Sequence, residues 1–439
     1  MSLKLQACLD ILKNVEPCRS YSKVSKLVGL IVEGRGVRTP LGSACRLLSE
    51  CGEIRAQNLA AEVVGFREDS VLFMPYGDLH GIRPGMLIEN DATPSLFPMG
   101  SILLGRVVDA FGVPLDNLGP IVPSRYYPIF IKPISPLERP YISEPLDVGV
   151  RAINGLLTLG KGQRVGIIAG SSMGKSMLMG MIARYTKADI NVLALVGERS
   201  CDVLKFMDKS LGPEGLSHSV LIVATADVSP LVRIRAAYAA TAVAEYFRDQ
   251  GMDVLLIIDS VTHFAMAVRE VGLAAGEPST INGYTPSVFT QLSKLLGRAG
   301  SSSRGTITGI YNVLVDGHDF NEPVASAVRS ILDGHIVLTQ EMADQGHYPC
   351  IDILKSISRL RTDVTPREVV AAGHAFIQHL VTYKRMEDIV NIGAYAHGFN
   401  PEIRKTLAMI GPIHEYLQQV VDKSSSLEES FEWVQRLMR

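Results

Sequence analysis

A short glycine-containing segment, AGSSMGKS at residues 169–176, restricts the possible folds of this chain more than any other feature. The apolar run QRVGIIA leads into it, and the helix-forming run KSMLMGMIARYT follows. A strand, a glycine loop and a helix in this order form a phosphate-binding loop, whose backbone N–H groups and positive helix end surround phosphate oxygens. The pattern asks for Gly where the chain has Ala169, but that position ends the strand, before the loop proper. We therefore predict a nucleotide site.

Each residue type in this loop has an expected task. Gly170 and Gly174 stand where the backbone must approach phosphate, and Lys175 is expected to reach the β- and γ-phosphates as the first catalytic candidate. Ser176 is expected to hold Mg²⁺. The other residues predicted to contact ATP here are Ser171, Ser172, Met173 and Met177. The alternative is a glycine-rich turn with a solvated lysine, which would not require the flanking strand and helix.

Two further apolar runs end in charged residues. DVLLIID ends in Asp259, and a carboxylate at the carboxyl end of a buried strand can bind the water shell of Mg²⁺. LALVGERS delivers Glu198 and Arg199 in the same way, and a carboxylate there could polarise the attacking water. Spacing alone leaves two other interpretations open, a helix cap for Asp259 and a surface ion pair for Glu198.

The order of patterns predicts a multidomain chain. Short strands and turns over residues 26–97 predict a β-barrel. Over residues 98–364, near-continuous apolar strands alternate with helical segments, which predicts a RecA-like α/β domain with a mostly parallel sheet. TPRE at residues 365–368 is a capping box, and we expect an α-helical C-terminal domain over residues 365–439.

Residues 1–25 form a separate segment in this interpretation. Leu5, Leu9, Leu12 and Val15 recur at helical spacing and predict a short amphipathic helix. Such a helix could cap the next domain or bind a partner protein, and the sequence leaves both open.

Composition excludes several classes of protein. The chain has 43 Lys and Arg against 45 Asp and Glu, a net charge of −2 that argues against a broad nucleic-acid surface. The six cysteines show no CxxC spacing, which favours free thiols in a reducing cytosol. No run reaches the ~20 apolar residues that span a bilayer, so we expect a cytoplasmic protein.

The whole constellation resembles the rotary-ATPase-like hexameric family, and within it the ATPases of bacterial type III export, most of all the flagellar ones. The similarity runs from about Leu27 to Gln419 and is carried by phrases such as PLDVGVRAINGLLTLGKGQRVGIIAGSSMGKS, VREVGLAAGEP, RSILDGHIVLT, GHYPCIDILKSISR and NIGAYAHG. It implies a Mg²⁺-dependent ATP hydrolase, assembled as a homohexamer, that energises protein export by releasing chaperones and unfolding substrates.

The resemblance also assigns residues. Glu198 matches the catalytic carboxylate of the family's GER motif, with Arg199 beside it, and Asp259 matches the aspartate that holds Mg²⁺ directly or through a water. Tyr348 in GHYPCID matches the aromatic residue that stacks on adenine. Arg359 in SISR matches the arginine that enters the neighbouring subunit's site and stabilises transition-state charge.

The implied partners are a stator-like export regulator at the N-terminal helix, a central stalk protein, the export gate and substrate–chaperone complexes. The resemblance implies no nucleic-acid partner, and it places the protein in the cytoplasm, peripherally attached to the inner membrane.

Some positions depart from the family pattern. The usual GERGRE is GERSCD here, with Cys201 and Asp202, and the usual DSLTR is DSVTH, with His263. A neutral imidazole offers less charge than an arginine fork, so slow hydrolysis is one expectation. Two alternatives therefore stay open: a weakly active or non-catalytic ATP-binding ring subunit, and the catalytic subunit of a rotary ATP synthase.

Overall fold

The computed structural model describes residues 20–36, 39–48, 58–90, 95–170, 173–315, 322–391 and 401–439. The amphipathic helix predicted around Leu5 to Val15 lies outside the described residues, as do Ser171 and Ser172 of the predicted loop.

Nineteen strands occur in the described part of the chain. They are β1 Ser20–Val28, β2 Ile31–Gly36, β3 Ala44–Leu48, β4 Leu59–Arg67, β5 Ser70–Pro75, β6 Leu87–Asn90, β7 Leu96–Met99, β8 Val107–Val108, β9 Arg125–Pro128, β10 Pro145–Leu146, β11 Leu159–Gly160, β12 Arg164–Ala169, β13 Ile190–Val196, β14 Ser219–Ala224, β15 Asp253–Asp259, β16 Gly300–Ser301, β17 Thr306–Leu314, β18 Gly334–Val337 and β19 Ile357–Ser358.

The α-helices of the same part are α1 Arg151–Leu156, α2 Lys175–Tyr185, α3 Ser200–Lys205, α4 Gly212–Ser217, α5 Pro230–Arg248, α6 Val261–Ala275, α7 Pro286–Leu296, α8 Pro323–Ile331, α9 Gln340–Asp344, α10 Arg361–Val364, α11 Arg367–Asn391, α12 Pro401–Leu417 and α13 Leu427–Met438. A π-helical turn spans Phe206–Leu211, and 3₁₀ turns span Ser101–Leu103, Pro136–Glu138 and Ile281–Gly283.

The N-terminal strands close into a barrel in the order β1-β2-β5-β4-β3-β6. Alternate residues point inward and form its core, among them Val32, Val63, Phe73 and Ile88. The barrel begins at Ser20, inside the segment predicted as helical, because β1 pairs with β2 and β6 along its length. Its last strand is β6, and β7 pairs with β9 instead of joining the barrel.

The central sheet has the order β19-β18-β12-β17-β15-β13-β14-β8, with β16 on β17. Its neighbours are parallel except at β18/β19 and β16/β17. Side chains alternate between two buried clusters, one under α5 to α8 and the other under α1, α2 and the C-terminal helices. Because both faces are covered, most residues of these strands are apolar, which explains their long hydrophobic runs. The predicted fold class of barrel, parallel α/β domain and C-terminal helices is confirmed.

Arg151 of the central domain makes several of the contacts that attach the C-terminal helices α11 to α13. Arg151 Nε donates to the Tyr416 carbonyl at 2.7 Å, and its guanidinium also bonds the carbonyls of Glu415 and Gln418. These carbonyls terminate α12, so a cation from α1 caps that helix. The same guanidinium lies 4.0 Å from the ring centre of Trp433 on α13.

Candidate nucleotide site

The predicted site residues come from strands that end at the same edge of the central sheet. β12 leads into the loop after Ala169, β13 into Glu198 and β15 ends at Asp259. Strands β12, β15 and β13 are parallel, with β17 between the first two, so their carboxyl ends lie side by side. This is the edge at which open α/β sheets bind ligands.

The loop between β12 and α2 turns sharply before the helix begins. Gly174 has φ of 74°, a left-handed conformation that favours glycine, and α2 starts at the next residue. The Gly170 N–H lies 3.2 Å from the Met173 sulfur, and Met173 is buried. Ser176 is exposed in the first turn of α2, where the helix end attracts anions.

Lys175, at the start of α2, forms ion pairs with two acidic residues at the carboxyl ends of neighbouring strands. Its Nζ lies 2.9 Å from Asp259 Oδ1 and 3.2 Å from Glu198 Oε1. The side chains of Lys175, Glu198 and Asp259 are only 12%, 17% and 4% exposed, so water screens these charges weakly. Three of the residues predicted from separate motifs therefore form one buried cluster, which we call the ionic trio.

Burial and charge act in opposite directions on the trio. Burial would lower the pKa of Lys175, but the carboxylates of Asp259 and Glu198 outweigh it and raise that pKa. Burial and the negative charge of Asp259 raise the pKa of Glu198, although Lys175 pulls it down. The lysine therefore stays charged at neutral pH, and Glu198 takes up a proton more readily than an exposed glutamate does.

Asn312 is part of this site and the sequence motifs did not identify it. It lies fully buried on β17, between β12 and β15, and its Nδ2 donates to Asp259 Oδ1. One oxygen of Asp259 thus accepts from both Asn312 and Lys175, which fixes the orientation of the carboxylate. A signal was present, since Asn312 is the one amide side chain in the apolar run TITGIYNVLV.

His263 is packed against the strand that carries Glu198. Its Nδ1 donates to the Val196 carbonyl at 3.0 Å, and the same nitrogen lies 3.9 Å from Glu198 Oε1. A Cβ at Gly197 would lie only 2.6 Å from the Cβ of His263, so the two backbones approach closely. The imidazole is therefore a half-buried neighbour of Glu198, held in place by the main chain.

Tyr348 lies against Gly174 of the loop. Its ring comes within 3.4 Å of the position that a Cβ would take on Gly174. The ring faces a cleft of about 920 Å³ that Met177, Gln418, Arg151 and Trp433 also line. An apolar side chain below and an aromatic ring beside an open cleft form a suitable surface for a flat base.

Two predicted residues stand apart from the trio. Arg199 Nε pairs with Asp202 at 2.7 Å, and 79% of the Arg199 side chain is exposed. Arg359 follows β19 and is also exposed, and its N–H donates to the Asp333 carbonyl, next to the amino end of β18. Because the phosphate loop lies at the carboxyl ends of the strands, Arg359 is at the opposite end of the sheet from its own chain's loop.

Three family descriptions match successive parts of the chain. Residues 28–90 match the beta-barrel domain of the ATP synthase alpha/beta family, and residues 149–358 match the nucleotide-binding domain of that family. Residues 365–436 match the T3SS EscN ATPase C-terminal domain.

Individual relatives extend the similarity to nearly the whole chain. The flagellum-specific ATP synthase of Bacillus subtilis is 46% identical over 432 residues, which cover 98% of this chain and 97% of the relative. The assembled ATPase EscN of the enteropathogenic E. coli type III secretion system superposes with a TM-score of 0.90 at 40% identity, over 95% of this chain and 100% of EscN. EscN in complex with its central stalk EscO superposes with a TM-score of 0.87 at the same identity and coverage.

Proposed function

The chain belongs to the ATP synthase alpha/beta family and, within it, to the flagellar and type III export ATPases, and from this we propose that it is a Mg²⁺-dependent ATP hydrolase that energises protein export. The observation that carries the proposal is the ionic trio at the mouth of the phosphate loop. A lysine, a candidate base and a candidate metal-linked carboxylate meet where phosphates would enter.

Each member of the trio has a separate task in this proposal. Lys175 exchanges its carboxylate partners for the β- and γ-phosphate oxygens and neutralises charge there. Glu198, released from Lys175, accepts a hydrogen bond from the attacking water and orients it towards the γ-phosphorus. The Glu198 carboxylate argues against a non-catalytic ring subunit, because a subunit that only binds ATP needs no such group at this position.

The donor set around Asp259 fits Mg²⁺. The ion prefers hard oxygen ligands and keeps several waters, and the carboxylate of Asp259 and the hydroxyl of Ser176 supply oxygens at the strand end and the helix start. We propose that these two residues hold Mg²⁺, Asp259 directly or through a water. Held by these residues, the ion would supply positive charge that offsets the negative charge of the phosphates.

The nucleotide base would lie in the cleft beside the loop. Tyr348 offers an aromatic face, and Met177, the third residue of α2, offers an apolar one. The main-chain N–H groups of the loop, from Gly170 to Gly174, would bind the phosphates. Arg199 would reach the nucleotide only after leaving Asp202.

We propose further that the site is completed between subunits. Arg359 is exposed and far from its own loop, as required of an arginine that acts on a neighbour. The relative EscN has been described as an assembled ATPase and in complex with a central stalk, which supports a homohexameric ring with a stalk partner here.

The remaining partners rest on the family alone. They are a stator-like regulator at the N-terminal segment, the export gate and substrate–chaperone complexes, with peripheral attachment at the inner membrane. No helix in the described ranges has both the length and the apolar character needed to cross a bilayer.

The decisive experiment measures steady-state ATPase rate against protein concentration, with and without Mg²⁺. We expect specific activity to need Mg²⁺ and to rise with concentration, because a lone subunit lacks the neighbour's arginine. Lys175→Ala should abolish turnover, whereas Lys187→Ala, a lysine that is 68% exposed and paired with Asp147, should leave it unchanged. Normal hydrolysis by the Lys175 variant would refute the site, and a rate independent of concentration would refute the shared site.

A further inference from the structure

Two large apolar side chains of the proline-rich connection between β9 and β10 are almost completely exposed. Leu137 is 97% exposed and Tyr141 is 99% exposed, more than any other large apolar residue in the described part of the chain. Single exposed apolar residues are common, but two of them on one rigid segment suggest a contact surface.

Hydrogen bonds from Arg139 to the central domain fix the position of this segment. Arg139, between the two residues, donates from Nη1 to the Ala299 carbonyl at 2.8 Å and from Nη2 to the Gly297 carbonyl at 2.5 Å. A 3₁₀ turn over Pro136–Glu138 precedes it and Pro140 follows. Leu137 and Tyr141 are thus displayed by a backbone that has little freedom left to lose, which lowers the entropic cost of docking.

This segment lies at the same end of the sheet as Arg359. Ile142 packs on Gly160, where an added Cβ would be 2.3 Å from Ile142 and 3.2 Å from Val364 of α10. Helix α10 begins two residues after Arg359, and β19 is tied to the start of β11 because Ser358 Oγ donates to the Thr158 carbonyl at 2.9 Å. The connection and the arginine therefore both lie at the amino ends of the parallel strands.

This end of the sheet also carries positive charge and a further apolar residue. A cavity of about 250 Å³ beside it is lined by the cations Arg329 and Lys355, and Arg359 Nη2 donates to the Arg329 carbonyl at 3.5 Å. Ile357, two residues before Arg359, is 51% exposed. We call Leu137, Tyr141, Ile357 and Arg359 the arginine face.

In the proposed function Arg359 enters a neighbour's nucleotide site, so the arginine face must meet the face of the next copy that holds the phosphate loop. Head-to-tail contacts of this kind close into rings. The charges agree with this pairing, because the opposing site carries the carboxylates of Glu198 and Asp259 and would carry the phosphates of ATP.

We propose that Leu137 and Tyr141 are the apolar anchors by which one copy of this chain docks on the next, and that they set the concentration at which Arg359 completes the neighbour's site. This inference rests on the proposed function and adds the residues that govern assembly. Rigid aromatic and aliphatic anchors of this type contribute most of the affinity in many interfaces.

The test compares the full chain with the double variant Leu137→Ser and Tyr141→Ser, by sedimentation velocity and by specific ATPase activity over a wide range of concentrations. We expect the protein concentration at half-maximal assembly and activity to rise about tenfold or more. Because both side chains are exposed, the thermal unfolding midpoint should not fall, which separates lost docking from lost folding.

The matched control changes Leu118→Ser and Val122→Ser, which are 69% and 78% exposed on the preceding connection, between β8 and β9. Both residues follow the segment that hydrogen-bonds to β8, which is the edge strand on the opposite side of the sheet from β19. Their substitution should not shift the protein concentration at half-maximal assembly. Arg359→Ala should lower the plateau rate without this shift.

The possible failures can be distinguished. If the unmodified chain assembles and the double variant assembles at the same concentration, or if the control pair shifts it equally, the anchoring role is overturned while the shared site stands. If the unmodified chain neither assembles nor shows concentration-dependent activity, the proposed ring is overturned together with its anchors.

Discussion

Glu198 lies where burial and a neighbouring carboxylate favour its protonated form and Lys175 favours its charged form. As a base it must be ionised, and kcat/KM reports the ionisation of the free enzyme. Since the pKa of Glu198 is raised, kcat/KM for ATP should fall on acidification at a higher pH than the ordinary glutamate value of about 4.3 would give. The pKa of Lys175 is raised as well, so this lysine should cause no loss of activity on the alkaline side until well above neutrality.

Glu198→Gln tests the same assignment by removing the base and keeping the shape. We expect ATP binding to persist and turnover to fall by about 10²-fold or more, with the acid limb of the pH profile gone. Equilibrium binding of a non-hydrolysable ATP analogue and single-turnover hydrolysis measure the two effects separately. Glu214→Gln, an exposed glutamate of α4, is the control. An equal loss of binding and rate would make Glu198 a structural carboxylate.

At the scale of residues, the sequence predicted those site residues whose motifs place them a fixed number of positions from the end of a strand. Lys175, Glu198 and Asp259 were inferred separately, and the structure brings them into contact. Asn312 was missed because its role depends on β17 lying between β12 and β15, and strand order cannot be read from local pattern. Arg359 owed its identification to the family resemblance, since nothing in SISR distinguishes it physically from another exposed arginine.

At the scale of elements, Arg151 contributes one set of the bonds that join the C-terminal helices to the nucleotide domain. Arg151→Ala removes the cap on α12 and the cation over Trp433. We expect the C-terminal helices to loosen, with a loss of about 2 kcal/mol in the free energy of unfolding and a lower thermal midpoint. Trp433 is the only tryptophan of the chain, so its fluorescence reports this contact directly.

The conservative change Arg151→Lys separates charge from geometry in that test. A lysine keeps the cation but cannot bond three carbonyls with a planar fork, so an intermediate loss is expected. If the alanine variant has the same unfolding midpoint and the same Trp433 emission as the unmodified protein, the arginine cap contributes nothing to the attachment of the C-terminal helices.

Whether a segment forms a strand or a helix was easier to predict than the residues at which it begins and ends. Strands β12 to β15 and β17 follow their apolar runs because a strand buried on both faces is composed mostly of apolar residues. The start of the barrel at Ser20 was not predicted, because SYSKVSK has a mostly polar surface and pairing with β6 over residues 87–90 decides its structure. Long-range partners fix such a strand, and local propensity does not.

At the scale of the whole molecule, the shared site predicts complementation between two inactive variants. Lys175→Ala lacks a working loop and Arg359→Ala lacks the arginine, but a ring that contains both has interfaces with an intact loop on one side and an intact arginine on the other. Random equimolar mixing should make about a quarter of the interfaces complete in a closed ring. ATPase rate of the mixture, compared with each variant alone, is the measurement.

Mixed rings must be demonstrated in the same sample, for example by co-purification through a tag on one variant. If tagged and untagged variants co-assemble and the mixture hydrolyses no faster than its parts, Arg359 does not act across an interface. The fold and the family were predictable at the scale of the whole molecule because sequence phrases typical of the family cover most of the chain. The face that meets a neighbouring copy was not predictable in this way, because it depends on which ends of the strands are exposed in the folded protein.

The ionic trio has a consequence for what the protein can sense. Lys175 is balanced within the chain by two carboxylates that are themselves hardly exposed. A phosphate that draws Lys175 away leaves Glu198 and Asp259 without their cation and adds negative charge beside them, so metal-free nucleotide meets repulsion. Mg²⁺ alone would find Asp259 already bonded to Lys175 and Asn312. Because each ligand offsets charge that the other leaves uncompensated, we expect Mg²⁺ and nucleotide to bind more tightly together than either binds alone, so that the site responds to the joint presence of both.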